Sequence, residues 1–184
     1  MTFFARLCRP KELTLRLEKS RTRLYRVALS WSHDPSLADD LTQETLSKAL
    51  HRLDQLQNPQ TLESWLFRIL TNCWRDHFRA LRPHEDISEF EDSLYTPEDT
   101  PEHIHGTSQI VNRVRLAIAR LPIGQRQVLT LIDLEEFSYS ETAAILDIPT
   151  GTVMSRLCRA RQELKRHLHD LQSKEMRPKL RRVV

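Results

Sequence analysis

The segment from Ser138 to Leu168 limits what this chain can fold into more than any other. Ser138 and Glu141 have the spacing of a capping box, in which each side chain satisfies an orphan amide at a helix start, so a helix is predicted to begin near Tyr139. Asp147-Ile148-Pro149-Thr150-Gly151 stops it, because Pro149 has no amide to donate and pushes Ile148 out of the α region. Thr150 is placed to cap a second helix, in which Val153, Leu157, Ala160, Leu164 and Leu168 form one apolar stripe. Ala143 and Ala144 are small enough for the two helices to cross closely, and the whole segment reads as a helix-turn-helix.

With Val153 inward and about 100° per residue, Met154, Ser155, Cys158, Arg159 and Gln162 fall on the opposite face, flanked by Arg156 and Arg161. Such a face suits a duplex groove. Arg159 can read a guanine edge bidentately, Ser155 can bond a base or phosphate, and the flanking arginines can hold phosphates. The bland alternative is a helical hairpin whose arginines are merely solvated.

Charge supports the first reading only once it is mapped along the chain. The net charge is +3. Yet the stretch from Pro83 to Ser108 holds eight acids and no Lys or Arg, whereas Thr150 to Val184 holds ten basic residues against three acidic ones. Basic ends around an acidic middle fit a polyanion partner. Only 3 Gly, with abundant Leu, Arg and Glu, predicts an all-α chain. Cys8, Cys73 and Cys158 are odd in number and widely spaced, against a disulfide framework or thiolate metal site and for a reducing compartment. No apolar run reaches the length of a signal or membrane segment, so a cytoplasmic location is expected.

The front of the chain, from Lys11 to about Arg82, has the pattern of a compact helical unit. Leu13, Leu17, Leu24, Val27, Ala28 and Trp31 make one face, ending at His33-Asp34-Pro35. Ser36 to Leu53 is predicted as a second helix, with Leu37, Leu41, Leu46, Ala49 and Leu50 inward and Asp39, Asp40, Gln43 and Glu44 outward. After the break at Gln55 to Thr61, a third helix is predicted over Leu62 to Leu81, with Trp65 and Trp74 among its apolar residues and Arg68, Asn72, Arg75 and Arg79 along a polar side. Aromatics beside arginines can stack unpaired bases, although for each tryptophan alone core filling is the preferred reading.

From Pro83 to Ser108 the periodicity stops, and Pro97, Pro101, Gly106 and the acids predict a flexible linker. A chain of that length spans up to about 86 Å when stretched and roughly 28 Å as a coil, enough to let two domains occupy sites several duplex turns apart. His103 and His105 lack a third ligand nearby, so no metal or cofactor is expected. Ile110 to Leu121 restarts helical spacing, Pro122 stops it, and Gln125 to Leu134 is predicted as the helix that supports the helix-turn-helix. The expected organisation is a domain over 1–82, a linker over 83–108, a second domain over 109–172 and a basic tail over 173–184.

At this point the motifs resemble a known family along nearly the whole chain. Leu121-Pro122, Gln125-Arg126-Gln127-Val128-Leu129, Ser138-Tyr139-Ser140-Glu141-Thr142-Ala143, Ile148 to Leu157 and Arg159-Ala160-Arg161 are similar to region 4 of bacterial sigma factors of the extracytoplasmic-function (ECF) class, in the sigma-70 superfamily. Ala38-Asp39-Asp40-Leu41-Thr42-Gln43-Glu44-Thr45 resembles region 2.2. Trp65 to Asn72 and Asp76-His77-Phe78-Arg79 resemble regions 2.3 and 2.4.

The resemblance implies an RNA polymerase subunit that directs promoter recognition and has no chemistry of its own. It implies a core-polymerase surface at Asp39, Asp40, Gln43 and Glu44, docking on the β′ coiled coil, with region 4 meeting the β flap. It implies −10 contacts at Asn58 and Thr61 in the loop and at Asn72, with Arg68, Arg75 and Arg79 on the backbone. The −35 contacts would be Met154, Ser155, Cys158 and Arg159, with Thr152, Arg156 and Arg161 beside them. An anti-sigma factor, often one anchored in the membrane, would be the controlling partner. In the best-known members a basic residue and an aromatic stand where this chain has Met154 and Cys158, which shifts readout toward thymine methyls or duplex shape. Two alternatives remain: a stand-alone helix-turn-helix regulator, which predicts a dimer helix or sensor domain, and a decoy that binds an anti-sigma factor without DNA, which predicts loss of the outward basic residues. An enzyme reading has no support, since no catalytic constellation or glycine-rich phosphate loop can be picked out.

Overall fold

Apolar residues at helical spacing need partners, and the seven α-helices among the described residues supply them to one another. The computed structural model describes the backbone of residues 3–56, 58–81 and 109–175, and the side chains of 13–56, 58–80, 111 and 113–169. The helices are α1 (Phe3–Ser32), α2 (Pro35–His51), α3 (Leu62–Leu81), α4 (Gln109–Ala119), α5 (Ile123–Leu129), α6 (Tyr139–Leu146) and α7 (Thr150–Glu175). Among the described residues there is no strand. The expected linker at 83–108, the tail from 176 onward and Gln57 lie outside the described residues.

In the first half, α1, α2 and α3 pack around Leu17, Leu24, Leu41, Leu66 and Leu70, with Trp31 edge-on to Trp74 at 5.9 Å. Trp74 is therefore core, while Trp65 is only half-buried. Asp34 starts α2 by accepting from the amides of Ser36 and Leu37, with Pro35 in the first turn where its missing amide costs nothing. Leu50, expected inward, is 51% exposed: the buried face of α2 runs through Ala38, Leu41, Thr45 and the fully buried Ala49, and Leu50, one residue on, turns away from it.

The second half is α4 to α7. The predicted helix over Gln125 to Leu134 is α-helical only to Leu129, and then widens into a π turn over Thr130–Leu134, closed by Glu135 N–H donating to Thr130 O at 3.1 Å. Glu136 follows with φ 61.

The two halves pack against each other and share one hydrophobic core, in which Phe67 of α3 meets Phe137 edge-on at 5.1 Å. Polar ties reinforce this. Arg23 of α1 donates to Glu63 at 2.7 Å and to Glu135 at 2.8 Å. Burial opposes its charge, but the bonds to Glu135 and Glu63 prevail and hold its pKa above the usual value. Arg126 of α5 is 1% exposed and donates to the carbonyls of Trp31, Ala119 and Leu121.

His33, in the α1–α2 turn with φ 55, is largely buried beside Arg126, and its Nε2 has no hydrogen-bond partner. Burial first, then the Arg126 charge, push its pKa down to about 4 from 6.5. A folded-state pKa below the unfolded one means that the unfolded chain binds the proton first. The stability is complete above about pH 6.5 and is lost as pH falls toward 4. Lowering pH from 7 to 5 should cost about 2 kcal/mol through this residue alone. Urea melts of the wild type and of His33→Asn, which tolerates the left-handed backbone, check this: the variant should lose that much less on acidification, and equal losses would exclude His33 as the sensor.

Candidate nucleic-acid interface

The helix-turn-helix forms as its local chemistry dictates. Ser138 Oγ accepts from the Glu141 amide at 3.2 Å, and Glu141 Oε2 accepts from the Ser138 amide at 2.9 Å, closing the capping box. The bonds from the Ser138 hydroxyl and amide lower the Glu141 pKa. α6 ends at Asp147, left-handed at φ 53, with Ile148 N–H returning to Ala143 O at 3.1 Å. Thr150 is the first residue of α7, and the carbonyl of Pro149 accepts from Thr152 and Val153.

On α7 the expected stripe is inward: Val153, Leu157 and Ala160 are buried, and Leu164 and Leu168 half-buried. Met154, at 53% exposed, Ser155, Cys158, Arg159 and Gln162 face outward together, and Thr152 is half-buried at the edge. The three arginines part company. Arg156, expected at the flank of this face, is instead only 9% exposed. Its guanidinium lies against the backbone of Gly124, so close that a Cβ there would come within 2.9 Å of Nη1. Arg156 therefore packs between α7 and α5, where a side chain at position 124 would make its guanidinium shift. Arg161 is exposed but grips Asp133 in a two-point pair at 2.6 and 3.1 Å, which raises its pKa. Arg159 is exposed and, among the described residues, its hydrogen bond is to its own helix, at Ser155 O, 3.4 Å away.

The first half presents two further faces. At the start of α2, Asp40 and Glu44 are exposed; Asp39 binds Gln43 at 2.6 Å and Arg21 at 3.3 Å, and Glu44 binds Lys48 at 2.8 Å. The loop before α3 is shaped by Asn58, whose side chain accepts from the Gln60 amide and whose carbonyl accepts from Thr61 Oγ1. Asn58, Thr61, Arg68, Asn72 and Arg79 are exposed; Arg75 is half-buried and donates to Leu146 O at the end of α6. Asn72, Arg75 and Arg79 line a cleft of about 350 Å³ together with Lys48 and Arg52 of the α2 end. Arg68, Asn58 and Thr61 are not part of it. Sequence reasoning missed Lys48 and Arg52. The one signal available was the change of sign along α2, acidic at its start and basic at its end.

Comparison with known proteins agrees with this anatomy. The Sigma-70 region 2 family matches residues 17–83, and the Sigma-70 region 4 family matches residues 112–164. The chain is 36% identical over 149 residues to the ECF RNA polymerase sigma factor SigE of Mycolicibacterium smegmatis, a match that covers 79% of this chain and 57% of that protein. It is 35% identical over 144 residues to the ECF RNA polymerase sigma factor EcfG of Rhodopseudomonas palustris, covering 77% of each. Among solved structures, the sigma factor RpoE from Bartonella quintana, crystallised with the anti-sigma factor NepR, superposes with a TM-score of 0.71 at 30% identity, over 86% of this chain and 98% of that one. With a region 2 half and a region 4 half in that order, and relatives of this similarity, the chain belongs to the sigma-70 family as an ECF sigma factor of RNA polymerase.

Proposed function

We propose that this protein binds core RNA polymerase in the cytoplasm and directs it to promoters, reading a −35 element as duplex with α7 and holding an opened −10 element with α3 and the loop before it, without chemistry of its own. The observation that carries the reading is the pair of outward faces, Met154-Ser155-Cys158-Arg159 on α7 and Asn72-Arg79 on α3, in a chain whose halves match regions 4 and 2. The acidic start of α2 serves as the polymerase contact. No helix among the described residues is long and apolar enough to cross a membrane.

The control partner is an anti-sigma factor. The similar RpoE chain is bound to one, and its likeness to this chain extends over both halves.

Run-off transcription over a library of promoter fragments tests the reading. Specific starts should need both the protein and core polymerase. Specific starts from core alone would remove the reading, and a protein that shifts duplex DNA yet never directs a start would replace it with an independent regulator. Within the same system Asp40→Arg, which reverses an exposed charge outside the core, should weaken binding to core polymerase while leaving the unfolding midpoint unchanged. Unchanged affinity would remove the start of α2 from the interface.

A further inference from the structure

The cleft between the end of α2 and the outer side of α3 is more than the −10 face expected from α3 alone. Lys48 and Arg52 stand on one wall, and Asn72, Arg75, Asp76 and Arg79 on the other. Four cationic side chains thus line one cleft, and two of them, Lys48 and Arg79, pair with its carboxylate. Asp76 lies 3.7 Å from Lys48 and 3.5 Å from Arg79, so it neutralises part of the charge and holds both cations toward the cleft. The bond to Glu44 raises the Lys48 pKa, so Lys48 enters the cleft charged.

Among the described residues, no aromatic ring lines the cleft. A base finds no aromatic platform there, whereas a phosphate meets donors from two directions. The cleft is also continuous with Asn72, the residue placed to meet an unpaired base.

We propose that Lys48 and Arg52 of α2 are phosphate contacts for the unpaired promoter strand, so that the −10 site is a two-walled cleft and α2 serves polymerase at its start and DNA at its end. This rests on the sigma reading above. The competing explanation is that basic residues at the end of α2 merely complement the helix dipole.

Salt dependence separates the two. Holoenzyme rebuilt from core polymerase and the full chain is titrated with a fluorescent single-stranded non-template oligonucleotide that spans the −10 element of a promoter enriched in the run-off assay. Each phosphate contact to a single strand contributes about 0.7 to the slope of log affinity against log salt. Arg52→Ala and Lys48→Gln should each lower the slope by about that much and weaken binding several-fold at low salt, with affinity for duplex −35 DNA unchanged in both and affinity for core polymerase unchanged in Arg52→Ala, which has no tie to Glu44. Arg52→Lys and Lys48→Arg should restore both slope and affinity. An unchanged slope in the two neutral variants, whether or not affinity falls, overturns the proposal, because a dipole or packing effect does not release counterions. If wild-type holoenzyme directs starts but these variants bind normally, the cleft assignment fails and the sigma reading stands. A wild-type protein that directs no start removes both.

Discussion

Replacing Arg126 by alanine should destabilise the protein by about 3–5 kcal/mol. Trp31 lies in the last turn of α1 and Ala119 is the last residue of α4, where carbonyls have no partner within the helix. Arg126 donates to both, and to Leu121, and so closes the ends of two helices from opposite halves with one side chain. A cation there also faces the negative ends of two helix dipoles. Alanine leaves three buried carbonyls without that donor and a void where the buried guanidinium was. For a chain of this size the melting temperature should fall on the order of 10 °C. Arg126→Lys keeps the charge but not the planar fork, and should recover only part of the loss. Denaturant unfolding monitored by circular dichroism measures both. A loss below about 1 kcal/mol for alanine would mean that water or a rearranged backbone takes over the carbonyls.

Arg159→Ala should cost about 1–3 kcal/mol in discrimination between the preferred −35 sequence and its point variants, a factor that reaches a hundredfold at the upper end. Arg156 is committed to Gly124 and Arg161 to Asp133, which leaves Arg159 as the outward cation of the middle of α7. Its neighbours Met154 and Cys158 offer apolar surface and a weak donor, suited to thymine methyls and unable to replace a guanidinium at guanine. Competition binding of holoenzyme to the enriched −35 duplex and single-base variants gives the answer. If every sequence weakens equally and the salt slope drops by about 0.9, Arg159 holds a phosphate and base readout belongs to its neighbours.

Much of the fold was legible because the deciding signals are local. The capping box at Ser138 and Glu141, the Pro35 and Pro149 breaks and the stripe from Val153 to Ala160 each depend on residues within a few positions of one another, and each is found as expected. What the sequence does not show is where two arginines of equal chemistry go. Arg156 and Arg159 differ by three positions on one helix, and the first is buried beside Gly124, 32 residues earlier, while the second is exposed. Arg126 gives even less away, for α5 is buried on all sides from Gly124 to Leu129 and has no polar face for periodicity to detect. Lys48 and Arg52 enter the cleft only because α2 and α3 cross, a tertiary fact that no spacing within either helix encodes.

The π turn at Thr130–Leu134 winds one residue more into its last turn than an α-helix would. On one side of that turn Asp133 holds Arg161 of the recognition helix, and on the other Glu135 holds Arg23 of α1. An α-helical turn would rotate whatever follows it by about 100° relative to this arrangement, so both grips could not be kept at once. The surplus residue therefore acts as a phase-setting tooth between two gears. It ties the rotation of the DNA-reading helix about its own axis to the position of the first helix in the chain.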